Sequence, residues 1–199
     1  MARDRAARPE AKPLRLFVAV DIPRDVRARL DIALEPLREA FPKARWAPPE
    51  NWHVTVKFLG RTWPRLFGWV QEQVATAAGS HSPFKLALSE LGSFPSARRA
   101  RVLWVGLEDP TGGLAALAAG LDVALASEFE PEKRAFAAHL TVARSDPPIA
   151  LGDELAGIEV PRLSFATGSL VLYRSHMQRP APRYEPIAEC PLGLALEGR

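Results

Sequence analysis

Two four-residue segments, His53-Val54-Thr55-Val56 and His139-Leu140-Thr141-Val142, alternate a polar residue with an apolar one. A period of two is the pattern of a strand with one buried face. On a strand, residues i and i+2 project to the same side. Each segment therefore commits its valines and leucine to a core and sends an imidazole and a hydroxyl out of it together. Chance placement of four histidines and six threonines in this chain gives about 0.12 His-x-Thr pairs, and two are found.

Other apolar runs extend the strand pattern. Leu14–Val20 reads as a buried strand, ended by Asp21-Ile22-Pro23. Val26, Leu30, Ala33, Leu34 and Leu37 recur at helical spacing, with Pro36 expected to kink or end that helix. Residues 42–49 form an expected loop around Arg45-Trp46. The first His-x-Thr strand covers His53–Leu59 and is closed by Gly60. Residues 63–78 predict a second helix, and Phe84–Leu91 and Val102–Leu107 predict strands joined by a loop with Arg98, Arg99 and Arg101. Gly112-Gly113 opens a helix to about Phe129, and the second His-x-Thr strand covers His139–Ala143. A short helix near Asp153–Ala156 and strands over Leu163–Tyr173 and Tyr184–Glu189 complete the pattern.

This order predicts an α+β fold: two similar lobes of antiparallel sheet facing across a central cleft, helices on the outer faces. Residues 1–13 read as a disordered tail and 14–199 as one bilobal domain. No run reaches the ~18 apolar residues of a membrane span, and the charged start lacks the apolar core of a secretory signal. The lone Cys190 excludes an intrachain disulfide and a cysteine zinc cluster. A cytoplasmic monomer is the expectation. The net charge, 26 − 23 = +3, permits a polyanionic partner without demanding one.

Two imidazoles facing a phosphate can do acid–base work. One takes a proton from an attacking hydroxyl or water and the other protonates the leaving oxygen, since histidine titrates near neutrality. Thr55 and Thr141 can donate hydrogen bonds to phosphate oxygens, and Arg144, just past the second strand, can offset their charge. Opening of a 2′,3′-cyclic phosphate suits such a site, because the ring already holds the leaving group in line. A single His-x-Thr is usually structural; two in matching positions favour function. Two histidines are too few for zinc, and no His-Glu-x-x-His helix is present, so neither metal nor cofactor is expected. His81 reads as a solvated loop residue, His176 as structural or binding, and Cys190 as a buried thiol. A different class, an RNA-binding module resting on Arg98, Arg99 and Arg101, stays open beside the enzyme.

The two segments resemble those of the 2H phosphoesterases, and within them the RNA 2′,3′-cyclic phosphodiesterases, also called 2′-5′ RNA ligases. The resemblance spans roughly residues 14–190. It rests on Arg15–Ala19, on Trp46 with Glu50–Gly60, on His139–Arg144, and on Leu172–His176 with Tyr184-Glu185. Ala138 stands where that family leads one to expect proline. The resemblance implies hydrolysis of the cyclic phosphate to a 2′-phosphomonoester, RNA with such an end or 2′,3′-cyclic nucleotides as substrate, and 2′-5′ ligation in reverse. It implies that His53 donates the proton to O3′ and His139 activates water. Thr55, Thr141 and Arg144 would bind phosphate. Phe17 becomes a candidate for stacking on the terminal base, although its place in an apolar run reads as core.

Overall fold

A computed structural model describes residues 12–193 apart from 153, 154, 156 and 180. The tail expected before residue 12 and the short helix near Asp153–Ala156 lie outside the described residues. The elements are β1 (Leu14–Asp21), α1 (Arg24–Ala33), α2 (Glu35–Ala40), β2 (Arg45–Trp46), β3 (His53–Thr62), α3 (Phe67–Gly79), β4 (Phe84–Phe94), β5 (Ala100–Glu108), α4 (Gly113–Ala124), β6 (His139–Ile149), β7 (Ser164–Thr167), β8 (Ser169–His176) and β9 (Arg183–Pro191).

The strands form one antiparallel sheet in the order β7-β4-β5-β6-β3-β1-β8-β9, with β2 pairing β6. The two His-x-Thr strands, β3 and β6, stand at its centre and meet through one residue pair, Val54 opposite Leu140. On either side runs a four-stranded ladder, β6-β5-β4-β7 and β3-β1-β8-β9. These are the two similar lobes, but they are not the two halves of the sequence. Strands β8 and β9, from the end of the chain, extend β1, whereas β4 and β5, from the middle, extend β6. Helix α3 packs against β8, β9 and α4, and α4 lies against β3. No helix among the described residues is long and apolar enough to cross a membrane.

Local sequence accounts for the elements and for several departures from expectation. β1 is buried almost throughout because it lies between β3 and β8. Pro36 does end the first helix: α1 stops at Ala33 and Pro36 sits in the first turn of α2, where its missing N–H costs nothing. Gly60 does not close its strand. It adopts φ +65°, a conformation open to glycine, at the β-bulge opposite Leu16, and β3 continues to Thr62. Asp109 caps α4 by accepting the N–H groups of Gly113 and Leu114 at 3.1 and 2.8 Å. That helix ends at Ala124, short of Phe129. The Arg45-Trp46 loop is a short strand on Arg144-Ala143. The single strand expected over Leu163–Tyr173 divides at Gly168, β7 pairing β4 and β8 pairing β1.

Candidate active site

In an antiparallel pair, residues directly opposite project to the same face. Val54 and Leu140 are both fully buried, so the flanking His53, Thr55, His139 and Thr141 face the other way. All four line one cleft of about 510 Å³, with Arg15, Arg45 and Arg144. A single backbone pair between the lobes thus brings together residues 86 positions apart in sequence. Arg144 is exposed and has no ion-pair partner among the described residues.

The two imidazoles are held alike. His53 Nδ1–H donates to the carbonyl of Asn51 at 2.7 Å, and His139 Nδ1–H to that of Ala137 at 2.8 Å. A carbonyl only accepts, so each Nδ1 carries a proton and Nε2 is the nitrogen left for chemistry. Each carbonyl sits on an anchored segment. The Asn51 side chain donates to the carbonyl of Pro182 at 2.7 Å, tying the turn before β3 to the β8–β9 connection. The segment before β6 is held by Lys57, only 6% exposed, which pairs with Asp122 of α4 and donates to the Glu130 carbonyl at 3.3 Å. Asp122 also accepts the Glu132 N–H at 3.1 Å.

Aromatic rings wall both histidines. Phe17 lies 4.8 Å from His53, stacks on Tyr173 at 5.2 Å, and meets Tyr184 edge-on at 5.1 Å. Tyr184 also stands edge-on to His53 at 5.1 Å. Across the cleft, Phe94 is edge-on to His139 at 5.3 Å, and Trp104 is 6.5 Å away. Trp104 packs flat over Gly92, where a Cβ would fall 2.2 Å from its ring. This burial lowers the pKa of His53 below its ordinary 6.5; the His139 charge adds to the lowering, and the Asn51 hydrogen bond and Asp21 oppose it. Asp21 lies opposite His53 in the register and accepts the Tyr173 hydroxyl at 2.7 Å, which with burial raises the Tyr173 pKa.

The cleft gathers His53, His139, Thr55, Thr141, Arg144 and Phe17. Phe17 is 3% exposed, its ring engaged by His53, Tyr173 and Tyr184, a placement that fits its core-like sequence context. Among the other residues singled out, Arg98 and Arg99 form an exposed turn that does not line this cleft, and Arg101 pairs with Asp146 at 3.0 Å. His81 is not simply solvated: it donates to the Ala77 carbonyl at 2.8 Å, at the end of α3. His176 bonds Glu185 at 2.5 Å across β8 and β9. Cys190 is buried, which raises its thiol pKa. Sequence reasoning missed Asp21, Arg15, Arg45, Phe94 and Trp104 as site residues. No local signal marks them; strand register brings Arg15 and Arg45 to the cleft, Asp21 beside His53, and Phe94 and Trp104 beside His139.

Residues 20–104 match the family model described as LigT like Phosphoesterase. A relative from Methanothermobacter thermautotrophicus, named RNA 2′,3′-cyclic phosphodiesterase, is 30% identical over 178 residues, covering 86% of this chain and 95% of its own. This chain belongs to the LigT-like phosphoesterase family. A relative of the same name from Geobacillus stearothermophilus is 28% identical over 92% of this chain, which spans 59% of that longer protein. The crystal structure of Escherichia coli LigT complexed with 3′-AMP superposes with a TM-score of 0.69 at 27% identity, covering 91% of this LigT-like chain and 99% of the other. Its likeness over nearly the whole chain extends the family assignment beyond the segment matched by the family model.

Proposed function

We propose that this chain hydrolyses the terminal 2′,3′-cyclic phosphate of RNA to a 2′-phosphomonoester, its two His-x-Thr segments acting as general acid and base. The matched pair of imidazoles carries the reading: each donates an Nδ1–H hydrogen bond to the carbonyl two residues upstream, which leaves Nε2 for chemistry, and both line one cleft. The names of the two relatives and the nucleotide in E. coli LigT support a ribonucleotide phosphate as the group bound.

His139 takes a proton from water as the water oxygen bonds phosphorus. The P–O3′ bond breaks, and His53 gives its proton to O3′. One proton is gained and one lost, and exchange with solvent resets both rings. Thr55 and Thr141 donate to the non-bridging oxygens, and Arg144 offsets their charge. Phe17 acts by packing the His53 ring in place. With a ribose 5′-hydroxyl in place of water, the same transfers join two RNA ends through a 2′-5′ bond; in dilute solution water wins by mass action.

A donor role requires His53 to be protonated, and burial opposes this. A bound phosphodiester anion favours the imidazolium and restores it. In an NMR titration the His53 ring of the free protein should therefore titrate below 6.5, move up when inorganic phosphate is added, and move further down in Asp21→Asn, which loses a supporting charge. A His53 pKa unchanged by phosphate speaks against an anion site at this ring.

Among the described residues no three His, Cys, Asp or Glu side chains gather as metal ligands. Proton transfer from water to His139 and from His53 to O3′ needs no metal, so ring opening should persist in EDTA and give the 2′-phosphate. A 3′-phosphate product rejects the assignment of His53 to O3′, and an unopened ring rejects the activity.

A further inference from the structure

A second groove, about 1370 Å³, opens on the other side of His139. Thr55, Phe58 and His139 line both spaces, so the groove is continuous with the phosphate cleft, whereas His53 lines the phosphate cleft alone. Phe58 and Phe94 face it with 70% and 38% of their surface exposed, an unusual cost for large apolar rings unless something covers them. Ala115 and Ala119, one turn apart on α4, leave its opposite wall open. Arg101, Lys133 and Arg134 edge it, and the Arg98-Arg99 turn follows closely on Phe94 in the chain. Three acidic residues line it too: Asp122 pairs with Lys57, Glu130 with Lys133, and Glu132 accepts the Lys133 N–H, while Arg101 pairs with Asp146. Arg134 has no ion pair among the described residues.

We propose that this groove is an acceptor subsite, taking a ribonucleoside that presents its 5′-hydroxyl to the phosphate. The proposal rests on the reading above and deepens it. In-line displacement puts the entering and leaving oxygens on opposite sides of phosphorus. With His53 at O3′, the entering oxygen comes from the side of His139, and whatever is attached to it extends past that ring. Water leaves the groove empty. A nucleoside fills it, its base against Phe58 and Phe94 and its following phosphates toward Arg134 and the Arg98-Arg99 turn. In the transfer, O5′ bonds phosphorus, P–O3′ breaks, His139 takes the 5′-hydroxyl proton and His53 supplies one to O3′. The reverse reaction cleaves a 2′-5′ bond to a cyclic phosphate and a free 5′-hydroxyl, and needs both spaces filled.

The test sets two reactions side by side: hydrolysis of adenosine 2′,3′-cyclic phosphate, which uses the phosphate cleft alone, and cleavage of 2′-5′-linked adenylyl adenosine, which uses both. Ala119→Trp places a bulky ring in the groove from an exposed helical position. It should lower kcat/KM for the 2′-5′ dinucleotide roughly 10- to 100-fold, the worth of a base stack, and leave cyclic-phosphate hydrolysis within about twofold. Ala115→Trp should repeat the pattern, which guards against a folding defect in one variant. Arg134→Glu should raise the KM of a 5′-hydroxyl RNA acceptor in ligation and leave the mononucleotide reaction alone. If the wild type opens the cyclic phosphate but both tryptophan variants cleave the dinucleotide normally, or lose the two reactions equally, the subsite is wrong. The same holds if they impair hydrolysis of cyclic-phosphate RNA but not of the mononucleotide, since the groove then holds the donor strand. If the wild type fails to open the cyclic phosphate, the proposed function falls instead.

Discussion

His139→Ala and His53→Ala should each lower kcat/KM for a 2′,3′-cyclic nucleotide by roughly 10²- to 10⁴-fold, the usual worth of a positioned acid or base. The double variant should fall by less than the product of the two losses, because both groups act on one phosphate and neither is effective without the other. Both losses should appear with thermal unfolding shifted far less than the activity. His53→Gln serves as a control, since alanine leaves a space between Phe17, Tyr173 and Tyr184 that glutamine partly fills. Steady-state kinetics on purified variants decide the matter: near-wild-type turnover in either alanine variant removes that histidine from the chemistry.

Asp122→Ala should destabilise the fold by about 3 kcal/mol, the low end for breaking a buried ion pair, because the Asp122 side chain keeps 23% exposure. Lys57, 6% exposed, is left with one carbonyl partner, an ammonium poorly hydrated and without its counter-charge. The same carboxylate holds the Glu132 N–H, so the segment leading to His139 loses that anchor outright, and the Lys57 that holds its Glu130 carbonyl loses the partner that positions it. Activity should therefore fall along with stability, and kcat more than KM, since a loosened His139 meets the phosphate less often in the right geometry. Pairing Asp122→Leu with Lys57→Met removes the stranded charge and should recover part of the stability without recovering the activity. Urea unfolding and kinetics on the same samples separate these outcomes. A loss below about 1 kcal/mol in Asp122→Ala means that the ion pair is not an anchor.

Much of the site is legible in the residue pattern. Period-two alternation marks both central strands and states which side chains share a face, because that follows from strand geometry alone. The apolar run of β1, the break at Pro36 and the helix after Gly112 are local effects and fall where local rules put them, within a few residues. Departures gather where a local signal has two meanings. Gly60 reads as a stop, yet a glycine at φ +65° also makes a bulge within a continuing strand. The strand expected over His139–Ala143 runs on through Asp146-Pro147-Pro148 in β6, and its pairing resumes at Ile149 opposite Ala100.

Residue pattern thus establishes the strand character of both His-x-Thr segments, the shared direction of imidazole and hydroxyl, and the family resemblance. The joining of the segments through Val54 and Leu140, the exchange of β4–β5 and β8–β9 between lobes, and the placing of Asp21, Phe94 and Trp104 beside the histidines come from long-range pairing. Such pairing depends on which strand edges are free and how apolar faces fit. Those are properties of the assembled chain, and no window of a few residues contains them.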